Sequence, residues 1–266
     1  MILIRPCQGF DELQACVDLQ IEVWGYSDGD VIPRRVFLVA QKIGGQTIGA
    51  FDTSLPGASP EGDANSLVGF AFSLPGVKTG EKSFTGIPES YVHSHMLAVR
   101  DGYRNQKIGA RLKLAQREEA LARGLTRMEW TFDPLEIKNS FLNIHKLGAI
   151  VRVYEPDFYG VSSSRLQGGL PTDRLVAEWW LASPRVIAAV QSSPEPAPQY
   201  GEQIVVPAAI YQWKADDQYR DRARNVQAEN RRRFQQAFTQ GLAVVAFTRD
   251  AEGNGIFHLG PWTEPH

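Results

Sequence analysis

Two short stretches carry residues that can do chemistry. The first, Arg104-Asn105-Gln106-Lys107-Ile108-Gly109, is a polar turn between the apolar strand end "HMLAV" and an amphipathic helix. A helix N-terminus exposes unpaired N–H groups and carries about half a positive charge, so such a turn can wrap a pyrophosphate through its main chain. Arg104 and Lys107 add charge, and Gly109 lets the helix start lie close to whatever it holds. An ordinary solvated basic turn would use the same residues. The second stretch, "YVHSHMLAV", holds two of the five histidines. A strand period of two sets Tyr91, His93, His95, Leu97 and Val99 on one face. An imidazole with its ordinary pKa of about 6.5 suits general-base work; a hydrogen-bonded structural pair is the plainer role.

These stretches need elements to position them. "ILIRPC" reads as a strand, and "DELQACVDLQIEVWG" as a helix with Leu13, Val17, Ile21 and Trp24 at helical spacing and Gly25 as its stop. "VFLVAQKIGGQTIGAFDTS" reads as a hairpin about Gly44-Gly45, and "SLVGFAFSLPG" as a strand closed by Pro75-Gly76. After "YVHSHMLAV" come a helix from Gln106 to Arg123, the strand "TRMEWTF", and a short helix from Asn139 to Leu147. The strands "IVRVYEPDFYG" and "TDRLVAEWWLAS" follow. The order β-α-β-β-β-α-β-α-β-β predicts an α/β (α+β) fold, a mixed sheet with helices on its faces.

Residues 191–204 are proline-rich and read as a linker. Beyond it, a helix over residues 216–240 and the strands "LAVVAFT" and "GIFHLG" form a C-terminal extension, residues 205–266. The helix has an apolar stripe of Tyr219, Ala223, Val226, Phe234 and Ala237, to be buried on the core or across a homodimer. Its arginines, Arg220, Arg222, Arg224 and Arg231 to Arg233, are answered by Asp216, Asp217, Asp221 and Glu229 and read as a solvated face.

The totals exclude several classes. At 266 residues, 43% hydrophobic and 22% charged, the chain reads as a folded, soluble protein. A net charge of −2 offers no basic field for nucleic acid. Cys7 and Cys16 form neither a disulfide framework nor a zinc pattern, and no metal site is expected. No signal-peptide h-region or membrane-length apolar run is present, so a cytoplasmic protein without membrane partners is expected.

The succession of "HMLAV", turn, helix, "MEWTF" and "NSFLNIHKLGA" resembles the GNAT acyltransferase superfamily over residues 1–182. The strings "SHMLAV", "LKLAQRE", "WTFDPLE", "KLGA" and "PTDRL" bring it nearest a branch of predicted acetyltransferases. The family's loop reads Arg/Gln-x-x-Gly-x-Gly/Ala; here Lys107 stands in the place of the first glycine, while Arg104 and Gly109 keep theirs. The resemblance implies a GNAT fold with a mostly antiparallel sheet over a 1–190 core. It implies acetyl-CoA or another acyl-CoA as co-substrate, with pyrophosphate on residues 104–109 and the pantetheine arm bonded to the main chain of Leu97, Ala98 and Val99. A gap between the fourth and fifth strands would admit that arm.

The same resemblance implies that an amine attacks the thioester directly, so the protein must supply a base. His93 falls where many relatives carry a glutamate base, and His95 lies one pleat nearer the thioester. Glu129, on the adjacent strand, is the competing base, a partner for a histidine, or a rim charge. The slot of the family's tyrosine acid holds Ile144. Asn139 and Asn143 would bond the pantetheine or adenosine, or else cap a helix. Asp133, Glu136, Asp173 and Arg174, near strand ends, are either ligand contacts or local structure. The expected function is an acyl-CoA-dependent N-acyltransferase that moves an acetyl or succinyl group to the amine of a small molecule, amino acids included. The rival is a GNAT-like module that binds CoA without catalysis.

Overall fold

A computed structural model describes residues 1–27, 29–80, 86–164, 167–192 and 201–263. The chain divides into two compact units, Met1–Glu129 with Ser163–Arg165, and Trp130–Ser162 with Leu166–His266.

The first unit holds β1 (Ile2–Pro6), α1 (Gly9–Trp24), α2 (Arg34–Lys42), β2 (Gln46–Asp52), β3 (Leu67–Lys78), β4 (Glu89–Val99), α3 (Ile108–Ala122) and the start of β5 (Arg127–Phe132). Its strand order is β1-β2-β3-β4-β5. The first three junctions are antiparallel and the β4–β5 junction is parallel. Leu13, Cys16, Leu19 and Val23 of α1 and Phe37 and Ala40 of α2 pack on Phe70, Phe72, Met96 and Ala98 of the sheet. On the opposite face Ile108 and Leu112 of α3 pack on Ile48, Ala50, Val68 and Ala71, with Leu97 and Val99 beside them.

Three local expectations are corrected here. "VFLVAQK" is the helix α2, not the first arm of a hairpin. Phe37 and Ala40, three residues apart, are its buried side chains, whereas Val36 and Val39 face outward. A short apolar run does not reveal its period, and Pro33 just before the helix supplies the starting signal. Pro75-Gly76 does not close β3, which continues to Lys78. Gly76 is there because the Tyr91 ring lies over it: a Cβ would sit 2.5 Å from that ring. On α1 the inward face runs through Leu13, Cys16, Leu19 and Val23, while Ile21 is exposed.

The second unit continues from the end of β5 into α4 (Ile137–Ser140), a π-helical turn (Phe141–Lys146), β6 (Ile150–Glu155), β7 (Arg174–Trp180) and α5 (Pro184–Val190). It ends with β8 (Glu202–Val206), α6 (Ile210–Ala215), α7 (Arg220–Thr239), β9 (Leu242–Arg249) and β10 (Gly255–Pro261). Its strand order is β5-β7-β6-β9-β10-β8. The β6–β7, β6–β9, β9–β10 and β10–β8 pairs are antiparallel. Phe234 of α7 stacks on Tyr154 at 5.7 Å between centroids and meets Phe257 edge-on at 5.2 Å.

The sequence reading did not anticipate α5, α6 or β8. Ser183 caps α5 by accepting from the Val186 amide, with Pro184 in the first turn, so its start signal was present. β8 opens at Glu202, within the span expected as linker; residues 193–200 of that span lie outside the described residues. Arg231 is not on a solvated face. Its guanidinium makes two bonds, 2.9 and 2.6 Å, to the buried carboxylate of Asp173. No described helix is long and apolar enough to cross a membrane.

Candidate active site

The β4 strand organises the first unit's candidate residues, and it is not a regular strand. Its register against β3 passes from Phe72↔Met96 to Ser73↔Ser94, leaving His95 as an extra residue in a β-bulge. Alternation therefore breaks at that point. Ser94 turns toward α3, where its hydroxyl meets Lys113 and Gln116. His95 and Met96 both face the α1–α2 side, His95 meeting the Phe72 ring edge-on at 6.2 Å. Leu97 and Val99 then face α3. The expected single face of Tyr91, His93, His95, Leu97 and Val99 is thus two faces. Tyr91, His93 and His95 share one, and Leu97 and Val99 lie on the other.

His93 and His95 stand 5.7 Å apart between ring centroids. Burial pushes the His93 pKa down to about 4, with help from His95 and the Lys113 charge. Burial lowers His95 as well. Both rings are therefore neutral at neutral pH and able to accept a proton.

Glu129 is the parallel register partner of His93. It is buried, and its Oε1 lies 2.6 Å from both the Lys78 ammonium and the Arg127 guanidinium. That carboxylate is committed to two cations. Lys78 also lies over the Tyr91 ring, 5.4 Å from its centroid.

Among the described residues β4 pairs with β5 through Val92↔Met128 and His93↔Glu129. From Ser94 to Val99 that edge of β4 has no ladder partner among the described residues, so the main chain of Leu97, Ala98 and Val99 is open on one side. An open edge offers alternating donors and acceptors to an extended ligand arm.

The turn follows directly. A short 3₁₀ turn, Asp101–Tyr103, leads to Arg104, and both Asn105 (φ 64°) and Lys107 (φ 62°) adopt the left-handed conformation before α3 begins at Ile108. Lys107, in the family's glycine position, takes a backbone shape that favours glycine. The first helical bond is donated by the Arg111 amide to the Lys107 carbonyl at 3.0 Å. The amides from Gln106 to Ala110 precede it and have no backbone partner among the described residues. Arg104, Asn105, Gln106 and Lys107 are exposed, Ile108 is buried and Gly109 is half-buried. Arg104 pairs with Asp101 at 2.7 Å.

One support of this turn carried no sequence signal. The Tyr103 hydroxyl donates to Asp52 at 2.8 Å, and that carboxylate also accepts from Ser54. These bonds hold Asp52 well below the usual carboxylate range and raise Tyr103. Also missed was Lys113, a buried lysine on the inward face of α3 whose Nζ donates to Ser94 of β4 at 2.7 Å. Its signal was available, since a lysine in phase with Leu112 and Gln116 is a charge where a core residue belongs.

The remaining candidates belong to the second unit. Asn139 of α4 is exposed; Asn143, in the π-helical turn, is buried, and its side-chain Nδ2 has no hydrogen-bond partner among the described residues. The two asparagines thus differ in exposure, although four residues apart. Ile144 is buried. Asp133 and Glu136 both bind the ammonium of buried Lys214, at 3.0 and 2.8 Å. Asp173 takes Arg231, the Tyr154 hydroxyl and the Asp157 amide, whereas Arg174 bonds Gln167 and the Asp173 carbonyl. Among the described residues no three His, Cys, Asp or Glu side chains gather as a metal site requires.

No protein-family model matches the chain, and no curated protein matches it in sequence. Solved structures do match. Arabidopsis thaliana NAA60 in complex with acetyl-CoA is 14% identical, covering 69% of this chain and 100% of its own, with a TM-score of 0.54. The ribosomal-protein-S18-alanine N-acetyltransferase from Escherichia coli is 12% identical, over 69% and 96% of the two chains, at 0.48. Aminoglycoside 6'-acetyltransferase type Ii is 17% identical, over 68% and 98%, at 0.48. Likeness at such identity speaks for the fold alone, and the fold of this chain is that of the GNAT acetyltransferases.

Proposed function

We propose that this protein is an acyl-CoA-dependent N-acyltransferase that moves an acetyl or succinyl group to the amine of a small molecule, possible acceptors including amino acids. The observation that carries the reading is the junction of β4 and α3. A strand edge, Ser94 to Val99, without a ladder partner among the described residues runs into a turn whose amides from Gln106 to Ala110 have no backbone partner among them. One stretch of main chain thus offers donors and acceptors to an extended arm, and then a ring of donors to a pyrophosphate. Bound acyl-CoA supplies a carbonyl activated by a thiolate leaving group.

The chain's own residues do the rest. The edge of Leu97, Ala98 and Val99 holds the arm, and residues 104–109 hold the phosphates, with Arg104 and Lys107 adding charge. In the second unit, taken by itself, the Nδ2 of buried Asn143 has no hydrogen-bond partner among the described residues and supports a polar ligand contact by Asn143, as expected of it and of Asn139. His93 or His95, neutral through burial, takes the proton from the attacking ammonium. Glu129, tied to Lys78 and Arg127, is the reserve base.

The second reading, a CoA-binding module without turnover, draws on Ile144 in the position of the family's tyrosine. A single experiment separates the two. Thiol release from acetyl-CoA and succinyl-CoA is followed with a panel of amines, beside a thermal shift with CoA alone. Amine-dependent release is expected. Stabilisation by CoA without release on any amine selects the module, and no stabilisation rejects both.

A further inference from the structure

Asn105 and Lys107 both hold the left-handed conformation, at φ 64° and 62°. Such a conformation persists in a residue with a side chain only where the surrounding structure determines it. The bonds inside the turn are too weak for that. Arg104 pairs with Asp101, but the two side chains are 44% and 70% exposed, and an ion pair so placed contributes little. The Arg104 Nε reaches the Val99 carbonyl at 3.4 Å and the Gln106 side chain the Gly102 carbonyl at 3.2 Å, both exposed.

The firm anchors lie at its two ends. Beyond the turn, Ile108 and Leu112 are buried on the sheet, and the Arg111 guanidinium donates to the Ile2 carbonyl of β1 at 2.9 Å. Ahead of it, the Arg100 amide donates to the Val68 carbonyl at 2.8 Å. Three residues later the Tyr103 ring packs on the cluster of Ile108 and Leu112, and its hydroxyl donates to Asp52 Oδ2 at 2.8 Å. Among the described residues, Tyr103 is the one residue of 101–107 whose side chain bonds a strand other than β4. Its acceptor is itself fixed. Asp52 ends β2 opposite Ile2, and its Oδ1 accepts from the Ser54 amide at 3.0 Å and the Ser54 hydroxyl at 2.6 Å. The bond therefore sets where the leading end of the turn stands relative to the sheet.

We propose that Tyr103, bonded to Asp52, is a positioning residue that holds the turn in its left-handed form, so that the pyrophosphate of acyl-CoA meets donors already in place. This rests on the reading of residues 104–109 as the pyrophosphate turn. The test uses the full chain with Tyr103→Phe, which keeps the ring in its cluster and removes only the hydroxyl. Asp52→Ala and the double variant complete a cycle. Each protein is assayed with acetyl-CoA and with S-acetylpantetheine, a donor without the pyrophosphate. CoA affinity by calorimetry, melting temperature and the amide NMR signals of Gln106 to Ala110 are recorded beside the rates.

For Tyr103→Phe the expected result is a KM for acetyl-CoA and a Kd for CoA higher by about tenfold, the low end for a hydrogen bond to a charged group. The kcat with acetyl-CoA and the KM for S-acetylpantetheine should hardly change, and the amide signals should move. Adding Asp52→Ala should weaken CoA no further than Asp52→Ala does alone, since both remove one bond. Equal losses with the two donors overturn the proposal, as does a folded variant with unchanged CoA affinity and unmoved amide signals. Fully additive effects in the cycle overturn it too. If the wild-type protein binds CoA without turnover, the calorimetric affinities make the same test. A wild-type protein that binds no CoA defeats the reading of the turn instead, and the amide signals then decide alone whether Tyr103 fixes its shape.

Discussion

The turn at residues 104–109 and the acidic strand ends of the second unit looked alike as sequence: charged residues where a sheet opens. They differ in what their polar groups have left to give. In the turn the amides from Gln106 to Ala110 have no backbone partner among the described residues, and Lys107 stands in a backbone conformation that costs about 1–2 kcal/mol for a side-chain-bearing residue. In the second unit Asp133 and Glu136 close on Lys214, and Asp173 closes on Arg231, Tyr154 and Asp157. Charges that saturate one another hold a fold together. Unspent donors beside local strain are ready for a ligand.

The largest effect should come from breaking the saturated side altogether. Truncation after residue 190 removes Arg231 from Asp173, Phe234 from Tyr154 and β9 from the edge of β6. Burial of each large apolar side chain is worth about 1.5–3 kcal/mol. An insoluble or strongly destabilised protein is expected in expression and melting assays; a soluble truncation with wild-type melting temperature would contradict this. It would also show the extension, residues 205–266, to be a separate module.

Replacing His93 and His95 together tests the other side. A kcat lower by about 10²- to 10⁴-fold is expected, the range of a general base, with CoA affinity retained. The same histidines give a pH signature. A folded pKa of about 4 for His93 against an unfolded 6.5 means that the unfolded chain binds more protons between those values. Stability from this site is therefore full above pH 6.5 and is lost as pH falls toward 4. His93→Gln should flatten the acid limb of a melting-temperature profile, and an unchanged slope would count against the burial described here.

How much of this was legible in the sequence depends on distance along the chain. β4, α3 and the turn were readable because their signals are local: a strand run, a polar turn, a helix stripe. The faces of β4 were not, since one bulged residue at His95 reverses every later count of two. The helix α2 was hidden because "VFLVA" suits a strand as well, and only Phe37 and Ala40 are buried. Arg231 looked solvated because its partner, Asp173, lies 58 residues away. Lys113 was passed over although its phase with Leu112 and Gln116 sets a charge where a core residue belongs.

Arg231→Met sharpens the comparison on a smaller scale. It leaves Asp173 buried without its cation, and a loss of about 3 kcal/mol is expected, at the low end because Arg231 keeps 33% of its side chain in water. Denaturant unfolding measures it, and CoA affinity of the folded variant should stay the same. Lys107→Gly should act in the opposite sense. Relief of the left-handed strain is worth about 1 kcal/mol of added stability, while the lost charge weakens CoA binding by a few-fold, both read in one melting series with and without CoA. A variant that is less stable than wild type would show that Lys107 is not strained.

The central claim is that the turn at residues 104–109 holds the pyrophosphate of CoA, and calorimetric titration of CoA into wild-type protein and the Gly109→Val variant tests it most directly. A β-branched side chain at that helix start should block close approach to the amides. The account predicts binding to wild type and an affinity at least about tenfold weaker, roughly 1.4 kcal/mol, in a variant that melts normally. Equal affinities in the two folded proteins, or no binding by wild type, would contradict it.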